Sequence, residues 1–292
     1  MKIESFKIFS IREKIILLSG ILFRKLFHKN LNIYPLLTEK AHFDYLISKG
    51  YKLSKITSRK YAVKFLDSNL GQLEIELRRK SSDYKVFDQI IVNKCYQPVI
   101  EIFTRYYTAA NTILDIGGNI GMASIFFYKC FPTAKLISLE PDVENFKLLK
   151  SNSIKNKVNA RLIQKALWIE KTTLSLNNSF RDGQSWSLNV STDINANSIL
   201  VNSITLDDVL SILDNNVIDI LKIDIEGAEF ALFKSQSFNT IIKSQVRLIA
   251  IEIHEELGNI DYIIQFLTDN NFKLELFGET WIGIKEPSFF MN

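Results

Sequence analysis

Ile113-Leu-Asp-Ile-Gly-Gly-Asn-Ile-Gly121 couples a strand of buried character directly to a glycine-rich turn and a helix start. In an open parallel sheet, ligands bind at the carboxyl ends of the strands where the winding reverses, and a turn of this kind belongs there. Gly117 and Gly121 would let the backbone approach a ligand and let the helix pack on the strand. The spacing is D-x-G-x-N-x-G, not the dinucleotide G-x-G-x-x-G. Asp115 adds a carboxylate, which suits an ammonium, or a network near a sulfonium, better than a diphosphate.

Working outward from that turn, the chain after Thr112 alternates short β-rich runs with helical ones, as in a mostly parallel sheet covered on both faces by crossover helices. Strands are predicted at Thr112–Ile116, Lys135–Leu139, Ala160–Lys165, Ile218–Ile223 and Val246–Ile253. Helices are predicted to begin near Asn119, Asp142, Thr205, Glu226 and Asn259, with Thr205-Leu-Asp-Asp208 reading as a capping box. Phe272–Phe277 and Trp281–Lys285 would finish the sheet as an antiparallel C-terminal hairpin around Gly278. Before residue 110 the pattern differs. An amphipathic helix over Lys7–Phe27 precedes a helix capped by Thr38 and stopped by Gly50. Two alternating runs, Tyr61–Leu66 and Gln72–Leu77, read as a hairpin, and Asp83–Tyr107 reads as helical. The expected organisation is an appendage of helices and a hairpin over residues 1–110 and an α/β domain over 111–292.

With 292 residues, 47% of them apolar, the chain can bury a large core, which excludes disorder by composition. Cys95 and Cys130 lack metal-ligand spacing and offer a single pairing, which fits a reducing, cytoplasmic setting. The first sixty positions hold 13 basic and 4 acidic residues, leaving 23 and 28 of the totals of 36 and 32 for the rest. A basic head on a mildly acidic body can meet an anionic surface, or simply stay solvated. The apolar run Ile15–Phe23 is too short to cross a bilayer, which takes about 20 residues, so residues 1–30 are read as a lid or a peripheral membrane contact.

Three further motifs follow the glycine turn. Glu140, in Leu139-Glu-Pro-Asp142 at the next strand tip, stands about 20 residues past the glycines, where a carboxylate accepts hydrogen bonds from ribose hydroxyls. Leu221-Lys-Ile-Asp224-Ile-Glu226-Gly-Ala-Glu229 brings three acids to a strand end, an arrangement that needs protonation, hydrogen bonds or a cation. His254, in Ile251-Glu-Ile-His254-Glu-Glu256, emerges at the adjoining strand tip, and histidine is the commonest general acid or base.

These segments, in order and correctly spaced, resemble the FkbM family of class I methyltransferases. The resemblance runs from Thr112 to Phe277 and includes LDIGGNIG, LEPD, Phe146 with Leu148–Asn156, KALW at 165–168, SITLDDVL, LKIDIEGAE and IEIHEE. It implies a Rossmann-like sheet, S-adenosylmethionine as methyl donor and O-methylation, often of sugars or secondary metabolites. By that resemblance Asp115, Gly117, Asn119 and Gly121 would meet the donor's amino-acid end, Glu140 its ribose, and Ala166 and Leu167 its adenine. Acceptor identity is expected in residues 1–110 and in Asn177–Asn202, which holds Trp186.

A protonated hydroxyl is a poor nucleophile, so a base is expected among Asp224, Glu226, Glu229 and His254, with His254 first. Asp224 with Glu226 or Glu252 could alternatively present oxygen ligands to Mg²⁺. The expected acceptor is a small molecule or glycan. Nucleic acid is disfavoured, because the catalytic body is acidic and phosphate binding needs clustered Lys and Arg. A non-catalytic binding module, a membrane-surface scaffold and a nicotinamide-dependent sugar oxidoreductase are the alternatives.

Overall fold

The computed structural model describes residues 4–27, 34–177, 189–191, 198–213 and 217–290. It divides into two compact units, Met1–Tyr84 and Lys85–Asn292. The division falls earlier in the chain than the boundary expected near residue 110. The reason is that the helical stretch before residue 107 packs onto the main sheet, with Tyr107 Oη donating to the carbonyl of Lys285 at 2.8 Å.

The first unit comprises α1 (Ile11–Phe27), α2 (Tyr34–Ser48) and the antiparallel strands β1 (Lys52–Lys55), β2 (Lys60–Asp67) and β3 (Gly71–Arg78). The expected β2–β3 hairpin is present, with Asp67 Oδ1 accepting from the N–H groups of Asn69 and Leu70 in its turn. Thr38 lies inside α2 and does not cap it. Phe9, Phe43 and Tyr61 form the aromatic core, with ring centroids 5.5 and 4.8 Å apart. The buried Arg79 forks between Glu13 and Glu39, which ties α1 and α2 to the end of the hairpin. Ile11, Ile15 and Leu18 stand exposed on α1, whereas Leu17 is fully buried.

In the second unit the expected single helix over Asp83–Tyr107 is broken into α3 (Asp83–Phe87), a π-helical turn over Asp88–Val92 and α4 (Gln97–Tyr106). Lys94 takes a left-handed conformation, and Pro98, which fits a helix only in its first turn, restarts the chain. Next come β4 (Thr112–Ile116), α5 (Met122–Cys130), β5 (Lys135–Leu139), α6 (Val143–Lys155), β6 (Ala160–Ile163), β7 (Ala166–Leu167), β8 (Thr173–Asn177), β9 (Asn189–Ser191) and β10 (Ile199–Ile204). The chain then runs through α7 (Leu206–Leu210), β11 (Ile218–Ile223), α8 (Glu229–Lys234), α9 (Gln236–Gln245), β12 (Val246–Glu252), α10 (Ile260–Asp269), β13 (Lys273–Phe277) and β14 (Thr280–Ile284).

The main sheet has the order β13-β14-β12-β11-β4-β5-β6, parallel except for β14. This is the expected Rossmann-like α/β architecture with an antiparallel C-terminal hairpin. β4 and β11 are buried at every position, as central strands covered on both faces must be. Their Leu114, Ile116, Leu221 and Ile223 share a core with Ile251, Phe233 and Leu267.

A second sheet, ordered β7-β10-β8-β9, went unread in the sequence. The strand expected over Ala160–Lys165 ends at Ile163, and after Gln164 and Lys165 the pair Ala166 and Leu167 joins β10. Within Asn177–Asn202, residues 178–188 and 192–197 lie outside the described residues, Trp186 among them. No described helix is long and apolar enough to cross a membrane.

Candidate active site

The turn between β4 and α5 is set by close approach of two strand ends. Gly117 has φ +81°, and a Cβ there would stand 1.8 Å from the carbonyl oxygen of Asp224. The N–H groups of Gly117 and Gly118 both donate to the carbonyl of Leu139, and that of Asn119 donates to Glu140 Oε2 at 2.7 Å. Three successive turn N–H groups are therefore committed within the protein, so this loop is not a diphosphate cradle.

A cleft of about 550 Å³ opens above these strand ends. Gly117, Asn119, Glu140, Ala166, Leu167 and Asp224 line it. Glu140 Oε1 accepts from the N–H of Asp142, so both carboxylate oxygens are oriented by the backbone yet keep further lone pairs toward the cleft. Burial raises its pKa to about 7. Both the apolar wall at Ala166–Leu167 and the carboxylate at a ribose position fit S-adenosylmethionine.

Two residues expected at the donor stand behind the cleft wall instead. Asp115 is fully buried, bonded to Ser124 Oγ at 2.5 Å and 3.2 Å from Lys222 Nζ. Gly121, at φ +91°, lets the start of α5 pass within contact of Leu149. Lys222, a buried cation of β11, also donates to the carbonyls of Ile116 and Gly117 and lies 3.7 Å from Asp224. It ties the glycine turn to β11. The strand register explains this, since Lys222 pairs with Asp115 across β11 and β4.

A second cleft, of about 800 Å³, shares Gly117, Asn119, Asp224 and Glu226 with the first. Glu252, Glu279, Tyr96 and Gln89 contribute to its wall. Glu252 entered the sequence reading only as a possible metal ligand, and Glu279, on the hairpin turn, not at all. Burial, then the charge of Asp224, raises the Glu252 pKa to about 8.

His254 occupies a different setting from the one expected of a base. It is buried, with Nδ1 3.1 Å from Glu229 Oε1 and Nε2 3.2 Å from Glu226 Oε2. Burial alone would depress its pKa, but Glu226 and Glu229 raise it to about 11, which keeps the ring an imidazolium at neutral pH. Glu229 is itself fully buried and accepts from the N–H of Ile225. The helix expected from Glu226 starts only at Glu229, because Glu226 and Gly227 both have left-handed backbones.

The donor atoms of Asp224, Glu226 and His254 lie within 4.8 Å of one another. They do not fit Mg²⁺, which prefers oxygen ligands, because both imidazole nitrogens face carboxylates and the imidazolium already supplies a positive charge.

Comparison with known proteins gives the class. Several solved methyltransferases are distantly similar in structure. T. thermophilus 16S rRNA N2 G1207 methyltransferase (RsmC), determined with AdoMet and guanosine, is 11% identical, with a TM-score of 0.43 over 80% of this chain and 52% of that one. Precorrin-6y C5,15-methyltransferase from Geobacter metallireducens GS-15 is 12% identical, with a TM-score of 0.37 over 65% and 89%. The ribosomal protein L11 methylase of Lactobacillus delbrueckii subsp. bulgaricus is 15% identical, with a TM-score of 0.36 over 66% and 80%. Among curated proteins none matches the chain in sequence. The family match defines an S-adenosylmethionine-dependent methyltransferase. The methyltransferase FkbM domain model matches residues 115–274, more than half of the chain, which therefore belongs to that family.

Proposed function

We propose that this methyltransferase acts on a hydroxyl of an uncharged acceptor, a sugar, glycan or small metabolite. The observation that carries the reading is the second cleft, which meets the donor cleft at Gly117 and Asn119 and is walled by Asp224, Glu226, Glu252 and Glu279. Carboxyl groups form hydrogen bonds with the hydroxyls of a polyol, and four of them against the lining cation Lys222 disfavour phosphate and other anionic acceptors. S-adenosylmethionine supplies an electrophilic methyl group when bound. The protein's part is to align the acceptor oxygen with that group and exclude water, which in favourable systems is worth about 7–11 kcal/mol.

The same negative lining would also draw an ammonium group, so an amine-bearing acceptor is the competing reading. Incubation of the purified protein with methyl-labelled S-adenosylmethionine and paired panels of neutral glycosides and amino glycosides, followed by mass spectrometry, separates the two. Label on oxygen supports the proposal. Label confined to nitrogen refutes it.

A further inference from the structure

We infer that Glu252 is the general base for the acceptor hydroxyl and that His254 is a fixed cation that positions the surrounding carboxylates. This rests on the hydroxyl-methylation reading. Strand register supplies the first argument. Ile223 pairs with Ile251, so Asp224 and Glu252 follow each other across the parallel strand ends. Glu252 pairs in turn with Thr280, the neighbour of Glu279. Three carboxylates from adjoining strands thus face one cleft, next to the glycine turn that also lines the donor cleft.

Access supplies the second argument. A base must reach the acceptor and must have a lone pair to offer. The His254 side chain is 0% exposed, lines neither cleft and meets a carboxylate at each ring nitrogen. Glu229 is equally enclosed. Glu226 stands 3.2 Å from His254 Nε2, and Asp224 3.7 Å from Lys222 Nζ. Glu252 lies 3.7 Å from the same Nε2, farther than Glu226, and the register makes it the middle one of the three strand-end carboxylates, between Asp224 and Glu279, with its side chain on the cleft wall.

The electrostatics agree with the geometry. Burial and the charges of Asp224, Glu279 and Glu226 raise the affinity of Glu252 for a proton, and His254 opposes them. In the step, the acceptor oxygen gives its proton to the Glu252 carboxylate and bonds to the methyl carbon. The carbon–sulfur bond breaks, its electron pair stays on sulfur, and the carboxylic acid then releases its proton through the cleft mouth.

The test is the pH profile of methyl transfer to a panel of methyl glycosides by the full chain and by Glu252→Gln, Glu252→Asp and His254→Gln, with calorimetry of S-adenosylhomocysteine on each. Glu252→Gln should lower kcat by about 10²–10⁴ and erase the acid-side limb, the fall in rate below the Glu252 pKa, while leaving ligand binding intact. Glu252→Asp, which restores a carboxylate, should recover the limb. His254→Gln should move that limb to higher pH, because it removes the cation that holds the Glu252 pKa down. A limb that survives in Glu252→Gln and vanishes in His254→Gln would return the base to His254. Full turnover by Glu252→Gln would also overturn the proposal. Failure of the unaltered protein to bind S-adenosylhomocysteine would instead strike at its reading as a methyltransferase, and binding without transfer to any glycoside would refute the hydroxyl reading.

Discussion

The N–H of Asn119 donates to Glu140 Oε2 at 2.7 Å, so the glycine turn itself aims the carboxylate that stands where the donor's ribose would lie. Asn119 reaches that position with a left-handed backbone, φ +47°. Glycine turn and acid are therefore one device.

Glu140→Ala should weaken S-adenosylmethionine binding by about 1.5–3 kcal/mol, the worth of hydrogen bonds to a charged group. The effect should depend on pH. Because the buried carboxyl has its pKa raised to about 7, its acceptor form is lost in the free protein as pH falls below that value. Affinity should then drop by up to about tenfold per pH unit, one proton being displaced per ligand bound. Calorimetry between pH 5.5 and 8 reads both effects, and a flat profile would remove Glu140 from the donor site.

Gly117→Ala should prevent the strand ends from approaching. The added Cβ would meet the Asp224 carbonyl at 1.8 Å, and its left-handed backbone is itself unfavourable for an L side chain. A loss of at least about 1–3 kcal/mol is expected from the backbone conformation alone, with the clash added. Thermal unfolding measures it. A variant as stable as the parent would mean the two strand ends are not in contact.

His254 should make stability fall at alkaline pH. Its folded pKa is raised from 6.5 to about 11, so its contribution is complete below pH 6.5 and is lost as pH climbs toward 11. Glu252, raised from 4.5 to about 8, adds a fall of its own between those values. With Glu252→Gln present in both proteins, so that Glu252 no longer titrates, the difference made by adding His254→Gln isolates the imidazolium. Denaturant titrations at pH 8, 9 and 10 should show the two converging, and parallel curves would mean that the ring is neutral in the folded state.

The exposed face of α1 should favour anionic bilayers. Ile11, Ile15 and Leu18 lie at helical spacing on that face, with the exposed cations Lys7 and Arg12 nearby. Replacing all three apolar residues with Glu spares Glu13, which holds Arg79, and should reduce sedimentation with phosphatidylglycerol vesicles. Binding by the parent should weaken with salt, since exposed charges are screened over about 8 Å at physiological ionic strength. Equal sedimentation of parent and variant would leave this face simply solvated.

Much of the fold was legible because its signals are local. A buried strand such as Ile218–Ile223 declares itself by composition, the Gly117 turn by the backbone conformations that glycine permits, and the capping box by Thr205 and Asp208. Glu140 could be named as lining a donor cleft for the same reason, since it stands at a strand end whose place in the sheet follows from chain order, whereas Asn119 and Ala166 were named from the family resemblance.

What the sequence could not state was which way charged side chains turn and which neighbours they acquire. Asp115 faces inward because Lys222, more than a hundred residues later, pairs with it across the sheet. His254 is an imidazolium because folding closes Glu226 and Glu229 around both ring nitrogens. Glu252 enters the acid-lined cleft because β14 returns antiparallel beside it and brings Glu279 to the same end. Residue order alone determined the strands of the main sheet and the glycine turn, because those depend on neighbours in sequence, and the family resemblance added the donor class. Protonation and access at the catalytic cleft depend on charges brought together across strands, and only the tertiary structure decides those.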